Sequence, residues 1–414
     1  MVGKIEVPGQ YKGWAKPDPS RHVMVAFFEP SVRPFASLRK PVRVGMIGED
    51  GRTYQWIVKA GEDLRQDERV QQLFSICNEC LAYDSENSGL SITTYVVLAL
   101  STTLGLIEFV PKTLPFKEAI ASVEGGVAAL ERATKAYTEG LSKLTGEKNQ
   151  AQACLVTWKL DKERVAEEYQ GVVARADSST LRNALVNLSS SPEGFFTLRR
   201  NFVQSYAVVS AMQWLVGIGD RHLSNYLLHL PTGKCVTIDF GYSFGVATSF
   251  LPVPELVQLR LTPQLLAVMA PLGTSGPFRE VLARVLTRLR QEPDVLLAAL
   301  ETFVQEPTLD WATFASKESE QKRGDVRLEE FTRGRVEMAR EKLAGGNPSA
   351  ISARYTLISH IIWKVMNGSI LTLRELEAGV GSSRWGGQGG ALRRTVQLIE
   401  GARVGGPGRR EEGR

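Results

Sequence analysis

Apolar residues recur along this chain at two spacings, and the change from one to the other divides it. Over roughly the first 110 residues, short strand-like runs alternate with turns: HVMVAFFEP, SVRPFASLRKPVRVGMIGEDG and RTYQWIVKAG. TTYVVLAL and GLIEFV, broken by STTLG, add two more strands. EDLRQDERVQQLF then shows the other period, with Val70, Leu73, Phe74, Cys77 and Leu81 at helical spacing. Beyond residue 110 helical spacing dominates, as in SYAVVSAMQWLV, PELVQLRLTPQLLAVMAPLG and FREVLARVLTRLRQEPDVLLAALETFV. Between residues 111 and 190 helix patterns such as KEAIASVEGGVAALERATKAYTEGLSKLTG mix with ACLVTWKL, read here as a strand; no chemistry is assigned to this stretch. The pattern predicts a β-rich region over 1–110 and a larger, mainly helical region over 111–350. Residues 351–414 are different again. Eleven glycines fall in 379–414 with few apolar residues, so this tail is expected to be disordered. Its composition suits a splice form or read-through product better than a functional basic tail.

Composition narrows the classes. A chain of 414 residues has room for two substantial cores, and 43% hydrophobic with 23% charged residues is ordinary for a soluble protein. Seven Arg against three Glu in 379–414 supply most of the net charge of +5, leaving the rest near neutral. Nothing in that balance argues for a nucleic-acid surface. Four scattered cysteines are too few for a disulfide framework, and Cys77 and Cys80 sit on an apolar helix face without a second ligand pair. The N-terminus lacks the apolar stretch of a signal peptide, and uncharged Leu90–Ile107 is rich in Ser and Thr and reads as strands rather than a span. An intracellular, soluble protein with no membrane contact is expected.

The chemistry concentrates in VGIGDRHLSNYLLHLPTGKCVTIDFG, residues 216–241. A helix breaks at two glycines, which puts DRHLSN in a loop; YLLHL and CVTIDFG flank the turn PTGK as a hairpin. That hairpin returns Asp239 beside Asn225, close to Asp220 and His222. Phosphoryl transfer needs such a set: a carboxylate at the attacking hydroxyl, a cation at the moving phosphoryl, and an Asn/Asp pair for magnesium. Upstream, Lys59 closes a strand where its ammonium can meet ATP phosphates. Glu62 and Asp67 follow at the start of a helix, and either can pair with it. No GxGxxG or GxxxxGK[ST] occurs in this region, so the phosphate cover falls to the turn FASLRKPVR, with Ser37 offering a hydroxyl.

With KAGEDLRQDERVQQLF, GLIEFV, GIGDRHLSNYLL and IDFGYSFG in this order, the chain resembles the phosphatidylinositol 3-kinase-related protein kinase family over residues 5 to 350. IEVPGQY, FLPVPELVQLRLT, FVQEPTLDW and KLAGGNP extend the likeness towards one subfamily. The resemblance implies an α+β, two-lobed, protein-kinase-like fold of the phosphatidylinositol 3/4-kinase type. Its small β-rich N-lobe would be residues 1–110 and its mainly helical C-lobe 111–350. It implies ATP and Mg2+, with Asp220 and His222 as catalytic residues and Asn225 and Asp239 as metal ligands. Lys59 becomes the phosphate-binding lysine, Asp67 its acidic support and Ser37 part of the phosphate loop. Phe109, in the hinge segment GLIEFV, stands where close relatives carry Trp and stacks on adenine with less area.

The segment after Asp239 carries no basic residue before Arg260, which disfavours a multiply charged lipid head group and favours a protein substrate. The subfamily resemblance implies Ser/Thr-Gln sites, a nuclear location and a role in the DNA damage response. It also implies that full-length members meet the Ku heterodimer and DNA ends through helical-repeat regions preceding the kinase, so this chain alone is not expected to bind DNA. Family members end in an aromatic C-terminal segment, and the Gly/Arg-rich tail departs from it. A catalytically silent fragment acting as an interaction piece is therefore the rival expectation.

Overall fold

In the computed structural model, residues 5–346 are described, apart from 12–15, 38, 88, 158–159, 252–254, 256–258 and 323–326. The expected disordered tail, 351–414, lies outside the described residues. The N-terminal sheet is antiparallel throughout. Strands β1 (Val25–Phe28), β2 (Arg33–Pro34), β3 (Val42–Gly48) and β4 (Thr53–Ala60) precede helix α1 (Arg65–Ala82), and β5 (Val97–Ser101) and β6 (Leu104–Glu108) follow it. The spatial order is β1-β3-β4-β6-β5, with β2 beside β3. In the β3–β4 register Val44 faces Trp56 and Val42 faces Val58. Lys59 pairs with Gly105 across β4–β6, which sets it near the end of a central strand. The buried face of α1 carries Val70, Leu73, Phe74, Cys77 and Leu81, as their spacing predicts. Each such side chain contributes roughly 2 kcal/mol of apolar burial. Cys77 and Cys80 are buried free thiols, and Cys77 Sγ lies 3.2 Å from Met212 Sδ.

After Phe109 the chain enters β7 (Thr113–Pro115), then α2 (Phe116–Ala121), α3 (Gly126–Thr145), α4 (Gln150–Thr157), α5 (Lys162–Arg175) and α6 (Thr180–Asn187). The strand expected at ACLVTWKL is instead helical over Gln150–Thr157. Asn149 Oδ1 accepts from Gln152 N at 3.1 Å, a helix start, and Ala153 packs with Leu141 and Tyr137 of α3. Local capping and a helical neighbour decide the run that β-propensity misreads.

The long helix α7 (Pro192–Val216) organises the second lobe. Ser191 caps it, Pro192 opens it, and Gly217 at φ 67° ends it. Its last fifteen residues are almost all buried, so it carries apolar residues on every side rather than one stripe. It leads to the hairpin of β8 (Tyr226–His229) and β9 (Cys235–Thr237), which with β7 forms a three-stranded sheet. Around it pack α10 (Pro277–Gln291) and α13 (Leu328–Leu343); α8 (Val246–Phe250), α9 (Pro263–Met269), α11 (Pro293–Gln305) and α12 (Leu309–Lys322) complete the lobe. In PELVQLRLTPQLLAVMAPLG the helix begins only at Pro263, where Thr262 caps it. No helix among the described residues is long and apolar enough to cross a membrane.

One hydrophobic cluster runs from α1 through α7 to α13, so the two lobes share a core.

Candidate active site

The DRHLSN loop follows α7 because Gly217 permits a left-handed turn that a Cβ would strain. The backbone then packs against the segment after Asp239: Phe244 N donates to Val216 O and Gly245 N to Gly217 O, both at 2.8 Å, and Gly219 N donates to Tyr242 O at 2.7 Å. A Cβ on Gly219 would stand 2.2 Å from Ala247 Cβ and 2.7 Å from Glu255 Oε2. Both glycines of GIG are thus needed for backbone contact between two loops.

Asp220 and Asp239 are both left-handed, at φ 56° and 63°. Aspartate tolerates that region at a cost, and such strain is retained where side-chain direction matters. The surroundings hold both in place. Asn225 Nδ2 donates to Asp220 O at 2.8 Å, and Asp220 N donates to Glu255 Oε2 at 2.9 Å. Arg221, only 3% exposed, donates to Gly219 O at 2.7 Å, to Ile238 O at 2.9 Å and to Asp239 O. The β8–β9 ladder pairs Tyr226 with Thr237, and Ile238 N donates to Asn225 O at 3.2 Å. Asn225 and Asp239 therefore meet at the ladder's end. His222 is exposed; its Nδ1 accepts from Ser224 N at 3.2 Å, which leaves the proton on Nε2.

Opposite lies Lys59, ion-paired with Glu62 Oε2. The other oxygen of Glu62 takes Arg39 Nε at 3.1 Å, and Arg39 also donates to Gly61 O. Glu62 is thus the direct partner of Lys59. Burial works to deprotonate Lys59, but the charges of Asp67, Asp239 and Glu62 outweigh it and hold its pKa above the ordinary value. Asp67 serves elsewhere, since its Oδ1 accepts from Phe240 N at 3.3 Å. Beside it Gln66 Nε2 donates to Phe240 O at 2.6 Å and Gly241 O at 3.0 Å. The first turn of α1 is so fastened to the backbone following Asp239. Burial raises the Asp67 carboxyl to about 7; Lys59 opposes the rise and Asp239 adds to it.

Ser37 is exposed in the loop between β2 and β3. Phe109 N donates to Gln55 O at 2.9 Å, extending the sheet into the hinge, and the Arg43 guanidinium lies 4.6 Å from the Phe109 ring centre. The lone CxxC gathers no partners, and no cluster of three His, Cys, Asp or Glu suits a metal among the described residues. An Asn/Asp pair does fit magnesium, which takes one or two protein oxygens and completes its shell with phosphates and water. Asn225 commits its amide nitrogen to Asp220 and keeps Oδ1 for a cation; Asp239 is exposed and makes no ion pair among the described residues.

Comparison with known proteins places the chain in a family. The family model for "Phosphatidylinositol 3- and 4-kinase" matches residues 53–313. The chain belongs to that family. It is 36% identical over 375 residues to the DNA-dependent protein kinase catalytic subunit of Xenopus laevis, covering 87% of this chain and 9% of that protein. The corresponding subunit of Dictyostelium discoideum is 35% identical over 372 residues, covering 84% and 9%. The target of rapamycin homolog of Caenorhabditis elegans is 33% identical over 342 residues, covering 81% and 12%. The chain thus spans about a tenth of these relatives. Among solved structures, the CtTel1 dimer superposes with a TM-score of 0.63 at 25% identity, covering 83% of this chain and 13% of that one. The two-lobed family fold read from the sequence is the fold observed.

Sequence reasoning misses Arg221, Glu255, Arg39 and Gln66. Arg221 stands inside DRH and is visible in the motif, but its buried, backbone-directed role is not. Glu255, Arg39 and Gln66 are single polar residues whose partners lie far along the chain or in another loop.

Proposed function

We propose that this chain is an ATP- and magnesium-dependent serine/threonine protein kinase. The observation that carries the reading is the convergence of Asp220, Asn225 and Asp239 at one end of the β8–β9 hairpin, facing the ion-paired Lys59. Lys59 is assigned to the ATP phosphates, with Ser37 and neighbouring amides covering them and Phe109 stacking on adenine. Asn225 and Asp239 would hold Mg2+, which when bound neutralises charge on the β- and γ-phosphates. Asp220 orients the substrate hydroxyl and accepts its proton as that oxygen bonds to the γ-phosphorus and the bond from the phosphorus to the bridging oxygen breaks, releasing ADP. His222, exposed with its proton on Nε2, donates to the transferred phosphoryl oxygens. Glu62 aligns Lys59, and the nearby charges of Asp67, Asp239 and Glu62 keep it protonated.

A protein rather than a lipid is the proposed acceptor, because the stretch from Asp239 to Arg260 offers no cation to an inositol phosphate. Likeness to DNA-dependent protein kinase catalytic subunits supports Ser/Thr-Gln sites and a nuclear role in DNA repair through end joining. The test is transfer from labelled ATP to a Ser-Gln peptide, a Ser-Ala peptide and phosphatidylinositol vesicles, with Asp239→Asn as control. Peptide labelling that depends on Asp239 and prefers Ser-Gln is expected. Vesicle labelling alone would overturn the substrate assignment, and no labelling of any acceptor by the folded chain would favour a silent interaction fragment.

A further inference from the structure

The Asp220 peptide unit is gripped from both sides. Its carbonyl accepts from Asn225 Nδ2 at 2.8 Å, a contact within the catalytic loop. Its N–H donates at 2.9 Å to Glu255, thirty-five residues further on, in the segment that follows Asp239. A backbone N–H at a left-handed aspartate has no regular secondary-structure partner, and burying it unpaired costs about 1–3 kcal/mol. Glu255 meets that need with a charged acceptor, the stronger kind. Glu255 is itself held: Thr248 Oγ1 donates to its carbonyl. A second tie runs parallel, from Arg260 Nη1 to Arg221 O at 3.0 Å, while Tyr206 OH donates to Arg260 O at 2.7 Å. The tight approach at Gly219 leaves room for Glu255 and little else.

We propose that Glu255 is a positioning residue, which fixes the Asp220 backbone so that its carboxylate meets the acceptor hydroxyl and thereby makes catalysis depend on the placement of the segment after Asp239. This rests on the kinase reading of the site. Glu255 does not touch the nucleotide; it acts only through Asp220. Burial raises its pKa, and the Asp220 N–H and the Arg221 charge oppose the rise.

The test compares Glu255→Ala and Glu255→Gln with the wild-type chain in peptide phosphorylation, ATP KM and amide hydrogen exchange at Asp220. Glu255→Ala should lower kcat about 10- to 100-fold with ATP KM within about twofold, because orientation and not binding is lost. Asp220 amide exchange should accelerate about tenfold or more. Glu255→Gln, whose amide oxygen still accepts, should recover most of both. Three results would overturn the proposal: an unchanged kcat in a folded Ala variant, a loss confined to ATP KM, or no recovery by Gln. A wild-type chain that transfers no phosphoryl group would instead sink the kinase reading. Exchange at Asp220 would then still decide the contact, faster exchange in the Ala variant supporting it and unchanged exchange overturning it.

Discussion

The two sides of the proposed active site, a catalytic wall and a nucleotide wall, are held by different forces. On the catalytic wall, backbone hydrogen bonds, a buried arginine and two glycines fix Asp220, Asn225 and Asp239. On the nucleotide wall, Lys59, Glu62 and Arg39 are joined by side-chain ion pairs, with Arg39 about half exposed at 49%. Backbone contacts have one geometry and are insensitive to salt. The Arg39–Glu62 pair, open to solvent on its arginine side, is screened and contributes little to stability, whereas the more buried Lys59–Glu62 pair is screened less. Such a division suits the proposed chemistry, in which the transfer centre needs fixed angles.

Breaking the chemistry itself should give the largest effect. Asp239→Asn removes one of the two proposed magnesium ligands, and phosphoryl transfer should fall about 1000-fold with an unchanged melting temperature. Comparable turnover by the variant would move the metal site elsewhere. Next comes the packing of the catalytic wall. Gly219→Ala places a methyl 2.2 Å from Ala247 Cβ, so a stability loss of about 3 kcal/mol is expected in denaturant unfolding. A variant as stable as the wild type would show that the two loops are not locked together. On the nucleotide wall Lys59→Ala should raise the ATP KM about 30-fold, or about 2 kcal/mol, and leave folding nearly intact. Unchanged nucleotide affinity would remove Lys59 from the phosphate site.

The same contrast explains what the sequence discloses. DRHLSN and IDFG are legible because one hairpin carries both, so about twenty residues of local structure suffice to bring Asn225 to Asp239. Helix α1 follows from periodicity, since it buries one apolar face. By contrast, spacing alone does not choose between Glu62 and Asp67 as the partner of Lys59. Either separation serves until the start of α1 is fixed. That start depends on contacts from elsewhere: Leu309 N donates to Asp63 Oδ2 at 3.0 Å, and Gln66 reaches Phe240. Glu255 and Arg221 are hidden for the same reason, because their partners are backbone atoms that carry no sequence signature. ACLVTWKL misleads differently; its β-branched and aromatic residues resemble a strand, and only the cap at Asn149 and the packing on α3 decide for helix.

The most gradual expected effect is a slope in pH, and it probes a residue that joins the two walls. Asp67 sits in α1 beside Lys59 and accepts from Phe240 N. Burial lifts its carboxyl from an ordinary 3.8 to about 7. Between those values the folded chain keeps a proton that the unfolded chain releases. The contribution to stability is therefore complete below about 4 and is lost as pH rises through about 7. The slope should approach roughly 1.4 kcal/mol per pH unit at the steepest point. Asp67→Asn, neutral at every pH, should flatten this part of the stability profile measured by denaturant unfolding from about pH 4 to 8. Lys59→Ala should move it upward in pH, because the lysine charge holds the Asp67 pKa down. Coincident profiles for wild type and Asp67→Asn would mean that Asp67 is ionised throughout, bound as tightly to the nucleotide wall as Asp239 is to the catalytic one. The walls would then be coupled by a full charge, and the division between a backbone-held and an ion-paired side would lose its boundary at α1.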